Sequence, residues 1–201
     1  MIPRPRPLTY DDLRSWNDDQ RWELIGGEAF AMSSPTTLHQ ALVSELLVRL
    51  NGIFRGSPCR ALVSPLDVKL SEQDVVQPDL LVVCNPQQLR THCIEGPPAL
   101  VVEVLSPSTL RHDRVRKLNL YSQVGVDEYW LVTPYPFLFE VLHNVDGVFL
   151  HAGSYTEADV LRSRRFSELQ LPLLELYESL PPQPPLDEVR EGAPPYAFSG
   201  N

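Results

Sequence analysis

Two acidic residues stand where acids are costly. Asp79 lies within Val75-Val-Gln-Pro-Asp79-Leu-Leu-Val-Val83, and Glu103 within Ala99-Leu-Val-Val-Glu103-Val-Leu105. Both runs are nearly continuous aliphatic stretches, the pattern of central strands covered on both faces. An unpaired carboxylate in such a strand costs several kcal/mol even after relaxation. Either acid alone could sit at a strand end, solvated or paired with an arginine. Two of them in neighbouring core strands favour a shared divalent cation. Hard oxygen donors suit Mg²⁺ or Mn²⁺, which keep several waters and take only one or two carboxylates. Pro78 supports an exposed aim for Asp79, because proline cannot donate to a ladder and marks a strand edge, start or bulge.

A third group follows Glu103 closely. Asp113, Lys117 and Tyr121 are spaced by four and form one stripe of a helix. A lysine on its inward side would lie beside the two acids, able to hold a phosphate oxygen or orient a water. Read alone, Asp113 and Lys117 would be a surface pair worth well under ~1 kcal/mol. Arg111, Arg114, Arg116 and Lys117 against Asp113 make the densest basic patch in the chain. Such a patch suits phosphate contacts, although a solvated helix face would look the same. Arg162, Arg164 and Arg165 form a weaker cluster, read as surface.

The elements that must position these residues are legible in outline. Thr9 and Asp12 fit a capping box opening a short helix to about Asp18. Trp22–Met32 carries strand residues on either side of Gly26-Gly27, a tight hairpin signal. Over Ser34–Phe54, Leu38, Leu42, Leu46 and Leu50 recur every four residues and predict the best helix of the chain. Three strand-like stretches follow, Arg60–Leu70, Val75–Cys84 and Ala99–Leu105. A helix from Ser108-Thr109 to about Val124 should stop at Gly125. Glu128–Thr133 reads as a strand. Phe137–His143 and Val148–His151 flank a turn at Asn144–Gly147, and Ser167–Leu180 reads as a short element, helical after Pro172. The order predicts a mixed α/β fold in one domain over residues 9–180. Proline is in excess at 20 residues. The excess falls at the ends, which predicts a proline-rich N-terminal extension over 1–8 and a flexible tail over 181–201.

Composition bounds the partners. Apolar residues at 43% support a packed core, and a net charge of −9 opposes broad, non-specific coating of nucleic acid. It does not oppose a nucleic-acid enzyme whose acidic site carries a metal. Three cysteines without a CxxC pair exclude a fully paired disulfide framework and the usual zinc spacing, and predict a reducing, cytoplasmic setting. No apolar run is long enough to span a membrane.

Taken together these residues resemble the Uma2 family, also called DUF820, a bacterial family of restriction-endonuclease-like proteins. The resemblance rests on Trp22-Glu-Leu-Ile-Gly-Gly-Glu28, His39, Val76-Gln-Pro-Asp-Leu80, Val101-Val-Glu-Val-Leu-Ser-Pro-Ser-Thr109, Asp113, Lys117, Tyr121 and Gly125-Val-Asp-Glu-Tyr-Trp-Leu131, in the same order over roughly residues 9–180. It implies a PD-(D/E)xK nuclease core: a mixed central sheet flanked by helices, here with added hairpins. Pro78-Asp79 would be the PD and Glu103 the second acid. Leu105 stands where the strand lysine should be, and Lys117 matches the helix lysine that members of this family supply instead. Glu23 and His39 match further family positions, Glu23 as an added metal contact and His39 against phosphate or water.

The expected activity is Mg²⁺-dependent hydrolysis of a DNA phosphodiester. Asp79 and Glu103 would hold the ion, Lys117 would position the nucleophile, and Arg111, Arg114 and Arg116 would contact flanking phosphates. Tyr121 would orient Lys117 or pack. A homodimer is expected, since cutting two strands needs two sites. Trp16, Trp22 or the Phe137–Leu150 hairpin could supply its contact. The alternatives are a nuclease fold kept as an interaction module without turnover, and a hydrolase of a smaller phosphoester.

Overall fold

The computed structural model describes residues 6–182. The sequence-predicted tail from residue 183 onward, and residues 1–5, lie outside that range. Helix α1 (Tyr10–Ser15) starts at the capping box of Thr9 and Asp12 and ends three residues before the sequence suggested. Strands β1 (Trp22–Ile25) and β2 (Glu28–Ala31) form the expected hairpin. Gly26 and Gly27 both have positive φ, as a two-residue turn of this hand requires. A side chain at Gly27 would also meet Pro7, whose Cβ lies 2.5 Å from an ideal Cβ built there. Helix α2 (Thr37–Ile53), capped by Thr36, buries Leu42, Leu46 and Leu50.

The next two stretches differ from the sequence expectation in an informative way. Each of the two long strand-like runs is two strands: β3 (Arg60–Val63) with β4 (Asp67–Lys69), and β5 (Val75–Val76) with β6 (Leu80–Val83). β3 pairs with β6 and β4 with β5, both antiparallel, so the runs form one long hairpin bent across two sheets. The bends fall at Pro65 and Pro78, where a missing N–H interrupts the ladder. Asp79 therefore sits on the bend at the start of β6, not inside a strand.

β7 (Cys93–Glu95), which the sequence reading did not separate, runs parallel to β4 and completes a five-stranded sheet ordered β2-β1-β5-β4-β7. The larger sheet adds β8 (Leu100–Val104), β9 (Glu128–Thr133), β10 (Leu138–Val145) and β11 (Val148–Tyr155) in the order β11-β10-β9-β8-β6-β3. β8 and β9 are parallel, joined by a helical crossover, and the other pairs of this sheet are antiparallel. β12 (Val160–Arg162) and β13 (Gln170–Pro172) pair beside the terminal helix α4 (Leu173–Glu178).

The crossover helix is irregular. His112–Lys117 forms a π-helical turn that runs into α3 (Leu118–Val124), and Gly125 at φ 88° ends it. Side-chain alternation divides the larger sheet. Leu80, Val82, Leu100, Val102 and Trp130 face α2 and α4, while Leu81, Val83, Val101, Tyr129 and Leu131 face α3. Glu103 shares the parity of Val101, so it points to the α3 side.

Cys59 and Cys84 flank the Arg60–Val83 register pair and form a disulfide, whereas Cys93 is free and buried. The cysteine count gave no sign of this pair, which forms because the register sets the two side chains opposite each other. Among the described residues no helix is long and apolar enough to cross a membrane.

Candidate active site

Three elements converge on one buried cluster. Glu103 comes from β8, Glu23 from β1 of the smaller sheet, and Asp113, Lys117 and Tyr121 from the irregular helix. Lys117 is 3% exposed, and its Nζ lies 2.9 Å from Glu103 Oε1, 2.8 Å from Glu23 Oε1 and 3.7 Å from Asp113 Oδ1. The surface-pair alternative for Asp113 and Lys117 therefore fails. The Tyr121 hydroxyl donates to Glu103 Oε1 at 2.9 Å. Asp79 closes the cluster from the bend: it accepts from the Val104 amide at 2.8 Å through Oδ2, and its own amide lies 3.4 Å from Glu103 Oε2. His39, at the start of α2, places Nε2 3.1 Å from Asp79 Oδ2. The structure thus brings Asp79, Glu103, Lys117, Glu23, His39, Asp113 and Tyr121 together.

Sequence reasoning missed His112 and Gln77. His112 Nε2 sits 3.1 Å from Glu23 Oε2, and the Gln77 amide donates to Glu23 Oε1 at 2.7 Å. No pattern marks a residue five positions before Lys117. In an α-helix the two would lie about 140° apart around the axis. The π-helical turn, with the Leu118 amide reaching Asp113 O, brings residues five apart near the same side. Both side chains then meet Glu23.

The basic patch divides. Arg114 closes on Glu140 of β10 through both carboxylate oxygens. Arg111 and Arg116 remain exposed. In the second arginine cluster, the Arg164 and Arg165 amides donate to buried Glu128, and the Arg165 guanidinium pairs with Asp127.

The electrostatics follow from several carboxylates sharing one buried ammonium. Burial works against the charge of Glu103 and pushes it well above its ordinary value. Asp113, Asp79 and Glu23 add repulsion against the pull of Lys117. Burial likewise raises Asp113. Burial would lower Lys117, yet Glu103, Glu23 and Asp113 together hold it well above its ordinary value. Tyr121 is pushed well up by burial and by the charge of Glu103. Burial would also raise Glu23, but Lys117, His112 and the Gln77 amide outweigh it and lower Glu23 to about 2.

Glu23 therefore has a testable sign. Its ionised form stabilises the fold above its ordinary value of 4.5, and that contribution is lost as pH falls toward 2. A shift of that size is on the order of 3 kcal/mol. Urea denaturation of the wild type should show stability falling across this window, and Glu23→Gln should flatten the fall. An unchanged slope would remove Glu23 as the ionised member of the cluster.

The donor set fits a hard divalent cation. Asp79 and Glu103 offer carboxylate oxygens at one end of β8, and the cluster holds more carboxylates than cations. Among the described residues no three His, Cys, Asp or Glu side chains form a ready cage. Two carboxylates completed by waters is an ordinary Mg²⁺ arrangement.

The mixed sheet, helical crossover and strand-end acids define a nuclease-like fold. The same fold occurs in the crystal structure of a "putative nuclease belonging to DUF820" from Anabaena variabilis, with a TM-score of 0.71 and 18% identity over 86% of this chain and 99% of that one. Residues 8–178 match Uma2, described as "Putative restriction endonuclease", and the chain belongs to that family. An uncharacterized protein of Synechocystis sp. is 32% identical over 157 residues, 74% of this chain and 80% of its own length.

Proposed function

We propose that this chain is a divalent-metal-dependent phosphodiesterase that hydrolyses DNA. The observation that carries the reading is the buried Lys117 held between Glu103 and Glu23, with Asp79 bonded to the backbone of the strand that bears Glu103. Asp79 and Glu103 would hold Mg²⁺ or Mn²⁺. When bound, the ion lowers the pKa of water and stabilises negative charge on phosphoryl oxygens. Lys117 orients the attacking water or neutralises the phosphate. Glu23 holds Lys117, and His112 and the Gln77 amide hold Glu23. His39 fixes Asp79, Tyr121 fixes Glu103, and Arg111 and Arg116 meet flanking phosphates. The reading is tested with single-stranded, duplex and branched DNA under Mg²⁺ or Mn²⁺, alongside Glu103→Gln and Lys117→Ala. Equal cleavage by wild type and both variants would refute the site.

A second reading is an interaction module without turnover. It is favoured by Lys117 already satisfying Glu103 and Glu23. Metal binding without cleavage of any DNA would support it, and a small phosphodiester separates the third option. A homodimer would supply two cutting sites. Val145, Val148 and Leu150 on the β10–β11 hairpin are exposed and offer an apolar contact for it. A DNA substrate implies the cytoplasm as working compartment, where thiol reductants would act on Cys59–Cys84.

A further inference from the structure

Phe30 is a half-buried aromatic that the proposed chemistry does not use. In the β1–β2 hairpin it lies directly opposite Glu23, so the two side chains share a face of the sheet. Its ring stands 4.9 Å from the His112 ring, and His112 is the residue that holds Glu23. The exposed Arg116 guanidinium covers the ring at 4.6 Å from its centroid. Phenyl ring, tilted imidazole (53° between planes) and guanidinium thus cluster at one spot, with the planar cation outermost and open to solvent. It borders the buried carboxylates, and its His112 and Arg116 belong to the same helical turn as Lys117. A surface charge serving phosphate alone needs no aromatic beneath it. Planar surfaces of this kind are what unpaired bases stack on, without regard to sequence.

We propose that Phe30 and Arg116 form a nucleobase-stacking subsite beside the scissile phosphate, selecting an unpaired nucleotide over intact duplex. The inference rests on the phosphodiesterase reading for its neighbouring phosphate, but not on turnover. The base stacks against the Arg116 guanidinium over Phe30, and the adjoining phosphate is directed toward Lys117. A base locked in a duplex cannot reach this surface.

Binding of a short fluorescein-labelled oligonucleotide, single-stranded or annealed, is measured by anisotropy with Ca²⁺ in place of Mg²⁺. Wild type should prefer the single strand, and one abasic position should reproduce the loss of a stacked base. Phe30→Leu keeps apolar volume without a π face, and Arg116→Lys keeps charge without the plane. Each should weaken single-strand binding by about fivefold to a hundredfold. Phe30→Leu should leave duplex binding unchanged, while Phe30→Trp should retain the preference. Thermal melting of each variant confirms that it folds. Unchanged single-strand binding in both variants, equal loss for both DNA forms, or no binding by wild type would overturn the proposal. Single-strand preference that survives in a chain unable to cleave would sink the nuclease reading and leave this subsite standing.

Discussion

Glu103→Gln should lower metal-dependent cleavage by about a hundredfold to ten-thousandfold while leaving the chain at least as stable as wild type at neutral pH. The two effects have one origin. Glu103 is buried, and its surroundings oppose its charge strongly enough to push its protonation well upward. Folding therefore favours the neutral form, a preference lost as pH rises through the raised value. An amide makes the neutral state permanent. It still accepts from Tyr121, and Lys117 keeps its 2.8 Å partner Glu23. What disappears is the charge that draws a divalent cation, and several kcal/mol of transition-state stabilisation with it. Cleavage rates at saturating Mg²⁺, a calorimetric Mn²⁺ titration and a thermal melt read the three quantities separately. Lost stability with intact cleavage would show that Glu103 is structural.

Lys117→Ala should have the opposite balance, costing activity and also about 3–5 kcal/mol of stability. Removing one partner of a buried ion pair leaves the other charge uncompensated. Here Glu23, held ionised beside Lys117, loses its nearest cation, and Glu103 loses its ammonium donor. Millimolar Mg²⁺ should then stabilise Lys117→Ala more than it stabilises wild type, because the ion supplies the missing charge. Combining Lys117→Ala with Glu103→Gln should recover part of the loss, giving a non-additive cycle of the kind contacting residues show. A Lys117→Ala chain as stable as wild type, with no added response to Mg²⁺, would contradict the buried cluster. Measurement is by urea denaturation with and without the ion.

Parts of this site were legible from residue type alone. Aliphatic flanks exposed the anomaly of Asp79 and Glu103, and fourfold spacing set Asp113, Lys117 and Tyr121 on one stripe. Glu23 was different. β1 is only four residues long and buries Glu23 and Leu24 in succession on opposite faces, so no alternation separates a site residue from a core residue. It entered through resemblance to a family. Arg114 looked like its neighbours Arg111 and Arg116 because charge density cannot show which guanidinium has an acid waiting on another strand.

The sequence by itself determined the local elements and the identity of the reactive groups. Capping chemistry, glycine turns and apolar period act within a few residues and can be read there. Only the tertiary structure decided how the elements bend and meet. Pro78 announces a broken ladder, but not that the hairpin crosses between two sheets and carries Asp79 to the junction. The Ser108-Thr109 start and Gly125 stop of the crossover predict a helix, but not the π-helical turn that rotates His112 toward Lys117. Those outcomes depend on the buried carboxylates finding partners across 89 and 14 residues of chain, from Glu23 to His112 and from Glu103 to Lys117. An unpaired charge in the core is costly enough to override local geometry, and no short-range pattern records where its partner will come from.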